Sequence, residues 1–263
     1  MRYVTVPLFA LLLLGLPVQA GATDDGVLRQ ELAEQFQKAT ADAKLYNPSS
    51  GTPTRAPGGP ERYRRVVNGV VYVVTEKGVQ GSGAVISSAG WIVTNWHVVR
   101  GEVKVGIIFK SSLSPGQLPL TPQDIFFATV VKTDPLRDLA LVKLDAPPAL
   151  MTPLPLGRLS SVEIGQDVFS VSHPRGLLWS YTEGVVSQIR PDSEWTLEPG
   201  RAHKATVIQT QTVVSPGSSG APLFDMSGRV IGIFVLTEGP GLNFAIAISD
   251  IQDFLLDAIQ SGR

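Results

Sequence analysis

Ser218 and Ser219 stand side by side in SPGSSGAPLF (215–224), flanked by Gly217 and Gly220 and preceded by Pro216. A serine in a tight glycine-rich turn can act as a nucleophile, but only with a base to take its proton. The chain has 3 histidines, so the candidates for that base are few. His97 follows the apolar run of WIVTNWHVV, and His173 ends a run in SVSHPRG. His203 lies in EPGRAHKAT, a polar stretch that reads as a solvated loop. Asp138, in TDPLRDLALVKL, stands just before an apolar run, where a carboxylate is rarely placed without a partner. His97, Asp138 and Ser219 therefore follow one of the chain orders in which Ser-His-Asp triads occur.

Three residues so far apart in sequence need a scaffold that brings them together. From residue 63 onward, short β-branched runs alternate with turn residues. One set covers 70–75, 82–87, 91–94, 103–109, 127–133 and 139–144. After a Pro-rich connector (146–156), a second covers 167–172, 182–189, 205–210, 222–225, 229–236 and 243–248. This spacing predicts an all-β fold of two antiparallel six-stranded β-barrels, the first over about 63–146 and the second over about 160–248. Ser249-Asp250-Ile251-Gln252 has the form of a capping box and predicts a C-terminal helix over 249–260. An apolar stripe of Leu28, Leu32, Phe36, Ala39 and Ala43 predicts an N-terminal helix over 24–46, stopped by Asn47-Pro48. That stripe reads equally as packing on its own domain and as a contact between subunits of a homo-oligomer. Residues 47–60 read as a linker, so 21–62 precede a domain over 63–263.

The bulk composition excludes several function classes. A net charge of −1 gives no surplus for nucleic acid. Arg2, the apolar run at 4–16 and Val18-Gln19-Ala20 at the cleavage positions form a signal-peptide pattern over 1–20. The apolar run is shorter than the roughly 20 residues of a spanning helix. The expectation is a periplasmic or secreted protein with no stable membrane insertion after cleavage. With 0 cysteines, thiol nucleophiles and thiolate metal sites are absent, and neither a metal nor a cofactor is expected.

Several motifs then resemble one family, the trypsin-like serine proteases of the HtrA/DegP group. GSGAVISSAGWIVTNWHVV is similar to the group's Gly-Ser-Gly strand and Thr-Asn-x-His-Val-Val motif. TDPLRDLALVKL is similar to its Asp-x-Ala-Leu segment. SVSHPRG resembles its Gly-(Asn/His)-Pro-x-Gly turn, which implies a structural role for His173. The resemblance covers about 66–257 and implies a chymotrypsin-like double barrel. His97 and Asp138 would come from the first half and Ser219 from the second, lacking the group's usual PDZ domain. It also implies an oxyanion hole made by the backbone N–H of the nucleophile and of the residue two before it. With Ser219 attacking, the donors are Ser219 and Gly217. With Ser218 attacking, the second donor would be Pro216, which has no N–H.

RRVVNGV (64–70) mimics an activation site, but Ser218 stands where activated relatives carry an aspartate, so it reads as the chain entering the first strand. Val213, six before the nucleophile, is implied as the floor of the primary pocket, with Ile233, Phe234 and Val235 as the edge that pairs with substrate. Long loops at 111–124 and 191–204 are expected beside the cleft. The implied function is an exported endopeptidase acting on unfolded or exposed polypeptide. The alternative is a catalytically impaired protease-fold chaperone or peptide-binding protein.

Overall fold

The computed structural model of the chain describes residues 58–110, 121–239 and 241–261. The predicted signal segment, the helix over 24–46 and part of the loop at 111–124 lie outside the described residues. No helix among the described residues is long and apolar enough to cross a membrane.

Two closed antiparallel barrels form, as the strand spacing predicts. The first comprises β1 (Val70–Val74), β2 (Gln80–Val85), β3 (Trp91–Thr94), β4 (Lys104–Phe109), β5 (Phe126–Asp134) and β6 (Leu139–Leu144), in the order β1-β2-β3-β6-β5-β4. The second comprises β7 (Asp167–Ser172), β8 (Ser180–Glu198), β9 (Arg201–Thr210), β10 (Pro222–Asp225), β11 (Val230–Thr237) and β12 (Asn243–Ala247), in the order β10-β11-β12-β9-β8-β7.

The two barrels share a core, and β1 shows why. Its sequence VVYVV is buried along its whole length, although a strand with one wet face would alternate. Val71 and Val73 fill the first barrel. Val70, Tyr72 and Val74 point the other way, into a cluster that includes Phe169, Phe224 and Ile233 of the second barrel. A strand buried on both faces reads as an unbroken apolar run, and each such valine contributes about 1.5–3 kcal/mol by leaving water.

Helices clamp this seam. α1 (Gly59–Val66) carries Glu61 in its first turn and Arg64 and Arg65 in its last, the charge order its dipole favours. Its buried Arg62 bonds Glu183 at 2.7 Å and the Tyr181 hydroxyl at 3.2 Å, both on β8. The chain then passes through a 3-10 turn (Val67–Gly69) into β1 with Val66 and Val67 buried, so RRVVNGV is a helix end entering a strand. A one-turn helix, α2 (Trp96–Val99), follows β3. The C-terminal helix α3 (Ile248–Ser261) buries Ile251 and Phe254 in the shared core. Its Asp250 faces Arg137 at 3.6 Å.

The expected loop at 191–204 is instead the end of a long hairpin, in which β8 spans 19 residues and β9 spans 10. Register shifts between Val186 and Gln188 and between Arg190 and Ser193 hide its alternation. A bulge adds a residue to one strand and resets the parity of every side chain after it.

Candidate active site

β3 delivers His97. Asn95, in extended conformation, ends the strand and α2 begins at once. That turn is gripped from below by Asp138, which is fully buried and adopts a left-handed conformation at φ 54. Such backbone costs about 1–3 kcal/mol outside glycine, although aspartate tolerates it better than most. Here it lets one residue present both its carboxylate and its carbonyl to the same turn. The carbonyl accepts from Trp96 N at 3.1 Å and from Asn95 Nδ2 at 3.0 Å. Oδ1 accepts from His97 N at 2.8 Å, and Oδ2 accepts from His97 Nδ1 at 2.6 Å. A carboxylate only accepts, so the ring proton sits on Nδ1. Nε2 keeps its lone pair, and the imidazole is 25% exposed on its cleft side.

The nucleophile loop is held as firmly. Ser215, Pro216, Gly217 and Ser218 form a turn closed by Ser218 N to Ser215 O at 2.8 Å, with Gly217 at φ 95. Proline second and a left-handed glycine third are the demands of a type II turn. Pro216 O accepts from Arg175 N at 2.7 Å, in the turn after β7. In a planar trans peptide the N–H points opposite to the C=O, so Gly217 N–H faces away from that bond. Among the described residues, neither Gly217 N nor Ser219 N has an acceptor. Gly220, at φ 84, lies so close to the first barrel that a Cβ would stand 2.0 Å from Ser82 O. Ser82 N binds Ser219 O at 2.7 Å across the seam.

The two neighbouring serines differ completely. Ser218 is buried, with its Oγ 3.2 Å from Ser172 Oγ and 3.3 Å from Ser215 N. Ser219 is half-buried and lines a cleft of about 240 Å³ together with His97. Leu197, Val214, Phe234, Val235 and Thr237 also line it. No hydrogen bond among the described residues joins Ser219 Oγ to His97.

Residues 81–233 match the family model described as the trypsin-like peptidase domain. The chain belongs to the trypsin-like peptidase family. It is 34% identical over 188 residues to Protease Do-like 1, chloroplastic, of Arabidopsis thaliana, which covers 70% of this chain and 40% of that protein. Serine protease PepD of Mycobacterium tuberculosis is 31% identical over 236 residues, covering 82% of this chain and 50% of PepD. The chain thus spans about half or less of the length of these curated relatives. The solved serine endoprotease from Yersinia pestis superposes with a TM-score of 0.63 at 25% identity, covering 83% of this chain and 70% of that one.

Within this trypsin-like frame some expected positions move. Val213 does not floor the cleft; it is 60% exposed. The preceding Thr212 is turned inward, its Oγ1 2.9 Å from Thr210 Oγ1 and its carbonyl receiving Asn243 Nδ2 at 2.9 Å. Alternation then sends Val213 out and Val214 into the cleft. Ile233 cannot offer an edge, since it pairs with Pro222 on one side and Ile246 on the other. β10 ends before Phe234, whose carbonyl accepts from Gly220 N at 2.9 Å. The edge without a β10 partner begins at Val235, two residues later than expected. Phe234 and Val235 do line the cleft.

His203 is not solvated. It is buried, stacked on Trp195 at 5.6 Å, and its Nδ1 donates to Pro135 O at 2.8 Å. Arg201 lies over Trp96 at 4.5 Å, so the hairpin tip braces the turn carrying His97. Leu197, Val214 and Thr237 were not visible as cleft residues in the sequence, because each depends on strand parity after a bulge or a turn.

Proposed function

We propose that this chain is an exported serine endopeptidase that hydrolyses peptide bonds in unfolded or exposed polypeptide, in protein quality control or regulated proteolysis. Ser219 Oγ attacks the scissile carbonyl carbon as its proton passes to His97 Nε2. Asp138 holds the Nδ1 proton and steadies the imidazolium. The oxyanion takes hydrogen bonds from Gly217 N–H and Ser219 N–H. Collapse expels the amine, which takes the proton from His97 and leaves an ester on Ser219. Water then attacks that ester, with His97 again the base. Positioned acid–base catalysis of this kind contributes about 10²–10⁴ in rate.

The observation that carries this reading is the one-sided commitment of His97. Its Nδ1 is bound to a buried carboxylate, which leaves Nε2 uncommitted on a ring that lines the same cleft as Ser219. The substrate backbone adds as a strand along Val235–Thr237. The apolar lining of Leu197, Val214 and Phe234 suits small or medium apolar side chains and offers no carboxylate to lysine or arginine.

One observation favours a second reading, a catalytically impaired chaperone or peptide-binding protein: Ser219 and His97 are not hydrogen-bonded. Against it, such contacts are often long without substrate and tighten in the complex. A fluorophosphonate probe separates the two. Folded protein is expected to take up one label per active chain, Ser219→Ala none, and casein to be cut after small or medium apolar residues. Unlabelled folded protein with casein intact would remove the enzyme reading. The same preparation reports export, since its amino terminus is expected at Gly21 or Thr23.

A further inference from the structure

His173 is fully buried between the edges of two aromatic rings, Tyr72 at 5.1 Å and Trp179 at 5.2 Å. A phenylalanine would fill that space without desolvating two ring nitrogens. One of them, Nε2, has no hydrogen-bond partner among the described residues. The other, Nδ1, lies 2.9 Å from Ser82 Oγ. Burial pulls the pKa of this histidine down to about 3, so the ring is neutral and only one nitrogen carries a proton.

The direction of the next bond decides which one. Ser82 Oγ donates its single proton to Gly217 O at 2.9 Å, and a carbonyl can only accept. Ser82 Oγ is therefore left to accept from His173, which fixes the proton on Nδ1. A directional relay runs from His173 through Ser82 to the carbonyl of Gly217, crossing from the second barrel to the first and back.

That carbonyl belongs to Gly217, whose N–H points away from the Arg175 bond, has no acceptor among the described residues and serves the oxyanion in the reading above. Arg175 N holds the peptide before Gly217, and the peptide after it is held at both ends, by Ser82 Oγ on Gly217 O and by Ser215 O on Ser218 N–H. Glycine is free to adopt φ of either sign, so Gly217 keeps its N–H in that direction only while both flanking peptides are held.

We propose that His173 is a positioning residue for peptide hydrolysis, setting the Ser82 hydroxyl so that it locks the Gly217 N–H toward the oxyanion. The proposal rests on the reading of Ser219 as nucleophile and extends it to groups that never touch substrate. Losing an oxyanion donor outright costs about 10²–10³ in rate. With Arg175 N still in place the loss is partial, and kcat is expected to fall about 10- to 100-fold.

The test uses the full chain and four variants: Ser82→Ala, His173→Leu, their combination, and His173→Asn. Asparagine can place its Nδ2–H where the ring Nδ1–H stands. Ser82→Ala and His173→Leu are each expected to lower kcat with KM within about threefold. The double variant should be no worse than either single one, and His173→Asn should recover kcat to within a few-fold. Nitrogen-15 NMR of the imidazole is expected to show a neutral Nδ1–H tautomer at neutral pH. That readout is independent of turnover, and Ser82→Ala and His173→Asn keep the test open should His173→Leu not fold. Unchanged kcat in Ser82→Ala, or a proton on Nε2, overturns the relay while leaving the Ser219 reading intact. Failure of wild-type protein to take the fluorophosphonate overturns both.

Discussion

Replacing Asp138 by asparagine changes one atom and should abolish most of the activity. Asparagine tolerates the left-handed backbone at φ 54 as aspartate does, so the turn survives. The carboxylate accepts twice from His97, at the backbone N (2.8 Å) and at Nδ1 (2.6 Å). An amide has only one oxygen for those two donors. With its oxygen on the backbone N–H, its NH₂ faces Nδ1, the ring proton moves to Nε2, and Ser219 loses its base. With its oxygen on Nδ1, two buried donors confront each other, at a cost of about 2–3 kcal/mol. The productive arrangement is then a minor population. The imidazolium formed in the reaction also loses a full negative charge, worth about 4 kcal/mol at 4 Å near a protein surface. Together these predict a kcat about 10⁴–10⁵ lower, close to the roughly 10⁴ that the same exchange costs in a Ser-His-Asp protease. The assay is kcat and KM on a peptide amide, with nitrogen-15 shifts reporting the His97 tautomer and a melting curve confirming the fold. More than a tenth of wild-type kcat, or a proton still on Nδ1, would refute the reasoning.

Gly220→Ala should destabilise the fold by more than about 3 kcal/mol, since its Cβ would meet Ser82 O at 2.0 Å on a backbone at φ 84. A urea midpoint within error of wild type would contradict the described seam. Acid should weaken the fold through His173, whose pKa is lowered by burial to about 3 from an ordinary 6.5. The unfolded chain takes up this proton as pH drops below 6.5 and the folded one does not, so the contribution is complete above 6.5 and fades down to 3. At pH 4.5 the loss is about 3 kcal/mol. Urea unfolding at pH 7.5 and 4.5 should therefore differ more for wild type than for His173→Asn, and equal pH dependence would count against a buried neutral histidine.

What the sequence disclosed and what it hid follow from the range of the forces involved. TNWHVV, the Asp138 segment and SPGSSG were legible because proton transfer restricts residue type, and Pro216 separated Ser218 from Ser219 because a missing N–H is a local fact. The strand count was legible for a similar reason: β1 announces burial on two faces by an unbroken VVYVV. Positions that depend on parity were not. Val213 and Val214 differ by one residue, and the inward turn of Thr212 that sorts them is fixed by Asn243, 31 residues away. The edge expected over Ile233–Val235 starts only at Val235, because β10 and β12 flank Ile233 only once the barrel has closed, and the register shifts between Phe234 and Leu236. Ser82 and His173, 91 residues apart, meet only across the seam. The groups to which the proposed function assigns the chemistry are therefore written in short motifs. The groups that aim them, Asp138 by its backbone and Ser82 by its two hydrogen bonds to the 215–220 loop, acquire their roles only when two barrels close on each other. Substitutions at the seam should accordingly change kcat before they change affinity, because every lining residue of the cleft except His97 comes from the second barrel, and on the proposed function the seam orients what reacts within it.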